Sequence, residues 1–189
     1  MSPLSDSAAA TTPAVLLPLT ISSIDVTAAV LDAVGAAGAG ATGVDLRFTD
    51  AQLAVASGIG IADQIAETAG LTVFLRTEAP LAAGAHTMIC LTDGESRRGN
   101  CVVDLGIDEL GASPDSDEVA ARWPDPTASD LPPFLISTVG FESLADAELM
   151  ALATVATVRG AVAITSPSVR TVRRVVDTVS AVLRARSAS

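Results

Sequence analysis

Thr87-Met-Ile-Cys-Leu-Thr-Asp-Gly-Glu-Ser-Arg-Arg-Gly-Asn-Cys-Val-Val-Asp-Leu-Gly-Ile107 contains two short apolar runs, 87–91 and 101–107, with a polar segment, 93–100, between them. Both runs are nearly continuous in hydrophobicity and bounded by polar or glycine residues, as expected of strands covered on both faces. The gap is what decides the fold. A crossover between parallel strands needs about a dozen residues or more, so 93–100 is too short for a helical return. Either it turns an antiparallel hairpin, or it is an extended return loop in a barrel that has lost a strand–helix unit.

Working outward, further strand-like runs occupy 15–21, 43–48 and 71–76 before this stretch and 134–139 and 161–165 after it. Helix-patterned segments separate most of them. Val26, Val30, Leu31 and Val34 recur at helical spacing over 25–37, with Ser23 as the expected cap and Gly38 and Gly40 as the stop. A second helix is expected over 51–68, with a kink or break at Gly58-Ile-Gly60, and a third over 144–158, closed by Arg159-Gly160. The last begins at Ser166-Pro167 and carries the apolar stripe Val169, Val172, Val176, Val179 and Leu183. The alternation gives an α/β chain, an incomplete (β/α) TIM-type barrel of about seven mostly parallel strands with outer helices.

Composition narrows the function. Residues 1–13 read as a disordered tail without a basic flank and 14–186 as one domain, since 189 residues at 49% hydrophobic content are enough for a single core. The net charge of −11 argues against nucleic acid and anionic membrane surfaces as partners. No apolar stretch approaches the roughly 18 residues of a membrane span, and the expected location is the cytoplasm. Every basic residue is Arg, so Schiff-base catalysis through Lys is excluded. Cys90 and Cys101 lack the spacing of a metal or redox motif and read as buried small residues. His86 is the single histidine and reads as lining a strand entry, which excludes a histidine-rich metal centre; no metal or cofactor is expected. The acidic, proline-rich connection 111–133 reads as an exposed loop packed onto the body by Trp123, and Arg170, Arg173, Arg174 and Asp177 as a solvated helix face.

Ligands of parallel α/β folds bind at the carboxyl ends of the strands. The ionisable groups there are Asp45, Arg47, Arg76 and Asp104. Arg76 can serve a ligand or pair with Asp45 or Asp104, and Asp104 can read a ring or bond loop amides before Gly106.

Three segments in series carry a family resemblance: Leu81-Ala-Ala-Gly-Ala-His-Thr-Met-Ile-Cys90, then Cys101-Val-Val-Asp-Leu-Gly-Ile107 with Gly111 and Ser113-Pro114, then Pro132-Pro-Phe-Leu-Ile-Ser-Thr138. In order and spacing they resemble the dihydropteroate synthases, pterin-binding barrels. Gly38-Ala-Gly-Ala-Thr-Gly-Val-Asp45 resembles the family's second strand, and 162–176 its last strand and helix. The resemblance implies one more strand and helix where only 93–100 remains, and so favours the lost unit over the hairpin. It implies ring-reading carboxylates, matched by Asp45 and Asp104, although Leu105 stands where the family's Asp-Pro-Gly has proline. It also implies an Asn, a Lys and an Arg-His pair. Here Ile89 and Cys90 replace the Asn-Asp pair, Thr138-Val139 stand where Lys would follow Ser137, and Ile164-Thr165-Ser166 replace the Arg and His. The first strand's Asn has no counterpart in Leu19-Thr20-Ile21. The expectation is therefore a degenerate barrel without synthase activity, a binding or partner subunit. The alternative is a diverged folate-pathway transferase or small-molecule binder using Asp45, Arg76 and Asp104, with Arg47, at the barrel mouth. The resemblance implies a pterin-like ligand and a homodimer or a pairing with a related synthase.

Overall fold

The computed structural model describes residues 12–21, 26–49, 51–76, 87–91, 101–104, 134–138 and 144–188, and for 51–56, 87–91 and 101–104 the backbone alone. Ser23, His86, Trp123, the segments 93–100, 105–107 and 111–133, and the side chains of Cys90, Cys101 and Asp104 lie outside that description.

Seven strands form one closed barrel, β1 (Ala14–Ile21), β2 (Gly43–Phe48), β3 (Thr72–Arg76), β4 (Thr87–Leu91), β5 (Cys101–Asp104), β6 (Phe134–Ser137) and β7 (Ala163–Thr165), in sequence order around the ring. Every neighbouring pair is parallel, including β7 with β1. The parallel pairing of β4 with β5, Ile89 opposite Cys101 and Leu91 opposite Val103, excludes the hairpin. The ring closes with seven strands, one strand short of the eight-stranded (β/α) barrel.

The nearly continuous apolar strands are explained by burial on two sides. Val15, Val44, Leu46, Val73, Leu75, Ile136 and Ile164 face outward and pack under the helices. The intervening positions face the axis, where Leu16, Phe74, Leu135 and Ala163 form a separate cluster. Gly43 belongs to this inner layer for a steric reason. A Cβ there would lie 2.5 Å from the Thr72 carbonyl oxygen and 2.7 Å from Leu16 Cδ2. Gly43→Ala is expected to cost about 1–3 kcal/mol through forced backbone movement, measured by urea denaturation.

Four helices are described on the outside: α1 (Thr27–Gly38), α2 (Ala51–Ala69), α3 (Asp146–Val158) and α4 (Val169–Ser187). Gly40, at φ 98°, ends α1 as expected. Its N–H reaches the Ala37 carbonyl and that of Ala41 the Ala36 carbonyl, the paired bonds of a Schellman stop. Arg159-Gly160 closes α3 in the same way.

The structure corrects three local expectations. α1 starts at Thr27 with Val26 at its N-cap, a side chain without an acceptor, so no side-chain cap is made there. α2 runs unbroken through Gly58 and Gly60. Gly58 lies against Phe48 and Leu75, and burial of Ile61, Ala62, Ile65 and Ala66 offsets the roughly 1 kcal/mol helix penalty of each glycine. α4 starts at Val169, so Pro167 precedes the N-cap, Ser168. The Ser166 N–H bonds the Leu16 carbonyl, and its hydroxyl accepts from the Ser168 N–H at 3.1 Å. Those two bonds hold Ser166 to the barrel and delay the helix. Val169, Val172 and Val176 are buried on β1 and β7, while Val179 and Leu183, further along the stripe, are half-buried.

Candidate functional site

Alternation along the strands divides the barrel interior into a dry half and a polar half. Leu16, Phe74, Leu135 and Ala163 fill the lower part. Inward positions nearer the carboxyl ends of the strands carry Asp45 and Arg47 on β2, Arg76 on β3, Ser137 on β6 and Thr165 on β7. The polar groups thus gather at the end where parallel barrels present their chemistry.

Asp45 is completely buried and its carboxylate is held from two sides. Arg76 donates from Nε to Oδ1 and from Nη2 to Oδ2, both at 2.6 Å, a bidentate fork whose side chain is only 10% exposed. Arg47 adds a longer contact, Nη2 to Oδ2 at 3.7 Å. Forked, charge-assisted bonds of this length are among the strongest a side chain makes, and the low-dielectric surroundings strengthen them further.

Arg47 also spans the mouth. The same Nη2 donates to Ser137 Oγ at 3.2 Å, and in the ring β2 and β6 are separated by β1 and β7. Its side chain is 32% exposed, so the guanidinium crosses the interior at the boundary with solvent. Two buried polar atoms there have no hydrogen-bond partner among the described residues, Arg47 Nε and Thr165 Oγ1. Thr165 uses its carbonyl instead, accepting from the N–H and the hydroxyl of Thr138.

Of the four residues named from sequence, three meet. Asp45 and Arg76 form the pair that was one of the open alternatives, and Arg47 joins them. Asp104 ends β5 with its backbone opposite Leu135. Ser137 and Thr165 were missed as site residues. The signal was present, because each lies two residues beyond an inward apolar residue, Leu135 and Ala163, and so has to face the axis.

With that geometry in hand, the chain can be set beside solved structures. It matches dihydropteroate synthase from Xanthomonas albilineans in complex with 7,8-dihydropteroate at a TM-score of 0.65 and 16% identity, covering 92% of this chain and 94% of that one. The fold is that of the dihydropteroate synthases. The same enzyme with 4-aminobenzoic acid gives 0.63 at 16% identity, and the dihydropteroate synthase of Coxiella burnetii in complex with pteroic acid gives 0.62 at 16%, with the same coverages of 92% and 94%. No protein-family model matches the sequence, and no curated protein does. Within the dihydropteroate synthase fold, the polar cluster of Asp45, Arg47, Arg76, Ser137 and Thr165 stands at the carboxyl-end mouth. Among the described residues no group of histidine, cysteine or carboxylate side chains could hold a metal, and no helix is long and apolar enough to cross a membrane.

Proposed function

We propose that this chain is a pterin-binding-type barrel without dihydropteroate synthase activity, acting as a binding or partner subunit. One observation carries the reading. The buried carboxylate at the mouth, Asp45, is held by the fork from Arg76, one bond on each oxygen, with Arg47 behind it. A carboxylate held in this way is oriented and neutralised by the chain's own guanidinium groups and is not left free to read a ring. The chemistry of the transfer points the same way, because displacing a diphosphate needs positioned cations or amide donors for the departing charge. The chain has no Lys, and Thr138 and Thr165-Ser166 stand where the family resemblance calls for cations. Purified protein given a pterin diphosphate and p-aminobenzoate is expected to form no dihydropteroate. Sustained product formation, lost in Asp45→Asn, overturns the reading.

A second reading, a small-molecule binder at the same mouth, is favoured by the two orphaned donors, Arg47 Nε and the Thr165 hydroxyl. A ligand with acceptor atoms would satisfy both. In that case a dihydropterin raises the melting temperature and Arg47→Gln or Asp104→Ala removes the shift. A shift unchanged in both variants counts against this site.

The partner role draws support from large apolar side chains left in solvent, Leu31 and Val34 on α1 and Met150, Val155 and Val158 on α3. Sedimentation of the protein alone and mixed with a dihydropteroate synthase from the same cell separates a homodimer from a mixed assembly.

A further inference from the structure

A cleft lies at the opposite end of the barrel, remote from the carboxyl-end mouth. Ala14 and Thr72 begin β1 and β3, and Thr42 and Val162 immediately precede β2 and β7; together they rim this cleft of ≈ 500 Å³. Among the described residues, the inward positions that line it are the small Ala14 and Thr72, and Phe74 is the large side chain on its axis side. Pro13 and Val162 add apolar wall.

The polar wall comes from α4. Arg173, Asp177 and Arg184 recur at a spacing that keeps them on one helix face, and all three line the cleft. Arg173 is neutralised, since its Nε and Nη2 hold Asp177 at 2.9 Å and 2.8 Å. Arg184 is different. Its Nη1 donates to Thr12 Oγ1 at 2.9 Å, and among the described residues it has no carboxylate partner. The Thr42 hydroxyl oxygen accepts from the Val15 N–H at 2.9 Å, which leaves its proton to donate. Thr12 and Thr72 supply further hydroxyls on the same wall. Among the described residues the cleft therefore offers a guanidinium without a carboxylate partner, Arg184, with hydroxyl donors beside it, over an aromatic and aliphatic floor.

We propose that this N-terminal mouth binds a small amphipathic monocarboxylate, its carboxylate on Arg184 and the threonine hydroxyls and its apolar body toward Phe74. The volume lies within the range of small-molecule sites, which combine apolar walls with a few placed polar groups. It exceeds what a bare inorganic anion would fill. Charge selects in the same direction, because a single guanidinium without a carboxylate partner among the described residues, beside Asp177 and in a chain of net charge −11, suits a monoanion better than a dianion. This site is independent of the reading of the carboxyl-end mouth.

The test is a titration of the full chain with benzoate, followed by amide chemical shifts, with inorganic phosphate titrated in parallel. Benzoate is expected to give saturable shifts clustered at Thr42, Thr72 and Arg184. Affinity should fall at least tenfold in Arg184→Gln, fall in Thr72→Val, and stay unchanged in Arg186→Gln, which removes the same charge from outside the cleft. Absence of saturation, shifts gathered instead at Asp45 and Ser137, equal affinity in Arg184→Gln, or phosphate binding as tightly as benzoate would each overturn the assignment.

Discussion

Asp45→Ala is expected to destabilise the barrel by about 3–5 kcal/mol, the usual cost of removing one partner from a buried ion pair. The reason is the asymmetry of the site. Asp45 is fully buried and Arg76 nearly so, and the substitution takes away the bidentate acceptor while the guanidinium stays inside the barrel. Arg47 can swing toward solvent at modest cost because it is already 32% exposed, whereas Arg76 has far less freedom. The loss should be reversible by removing the charge as well. Asp45→Leu combined with Arg76→Met replaces the pair with apolar volume and is expected to fall near wild-type stability or above it. Equilibrium urea denaturation of the single and double variants measures both effects. A loss below about 1 kcal/mol for Asp45→Ala would mean that the pair is held no more firmly than one at the surface.

The second large effect belongs to the axis. Leu135→Ala is expected to cost about 2–5 kcal/mol, the transfer of the lost methyl groups plus the cavity they leave. Leu135 is completely buried and packs inside the ring with Leu16, Phe74 and Ala163, away from the layer beneath the helices. The cavity would collapse little, since Ala163, clustered with Leu135, has only a methyl group that could move in. The same denaturation experiment reads it, and an unchanged slope with a lower midpoint shows that stability alone has changed. A cost near zero would show that the interior is not packed, and would contradict a barrel closed through β7 and β1.

Much of this fold could be read from residues because strand burial on both faces leaves a plain mark, the continuous apolar run. Thr87–Leu91 and Gly43–Phe48 were bounded correctly from that mark alone. The direction of β5 could not be read in the same way. Apolar runs carry no direction, and the short 93–100 segment suited a hairpin as well as a shortened crossover until the family resemblance weighed against the hairpin. Helix starts were the weakest part. Ser166 was read as a cap by its type, but its N–H belongs to the barrel through Leu16, a long-range bond that no local pattern shows. Gly58 and Gly60 were read as a break by intrinsic propensity, and the packing of Ile61 and Ile65 overrode it.

The candidate site was legible to a similar degree. Asp45 and Arg76 could be recognised as partners because both stand late in neighbouring strands and have opposite charge. That Arg76 reaches Asp45 depends on the curvature of the closed ring, which a linear pattern does not encode. Ser137 and Thr165 were passed over because small hydroxyl residues are common at strand ends. Only the parity set by Leu135 and Ala163 places them inside, where Ser137 receives Arg47 across the mouth.

The central proposal is that the carboxylate at the mouth serves the chain's own guanidinium groups and not a substrate. A single-turnover experiment tests it most directly, with protein in excess over a pterin diphosphate, saturating p-aminobenzoate, and dihydropteroate followed by mass spectrometry. The account predicts product at the level of the protein-free control in wild type and in Asp45→Asn alike. One equivalent of dihydropteroate formed by the wild type, and lost in Asp45→Asn, would contradict it.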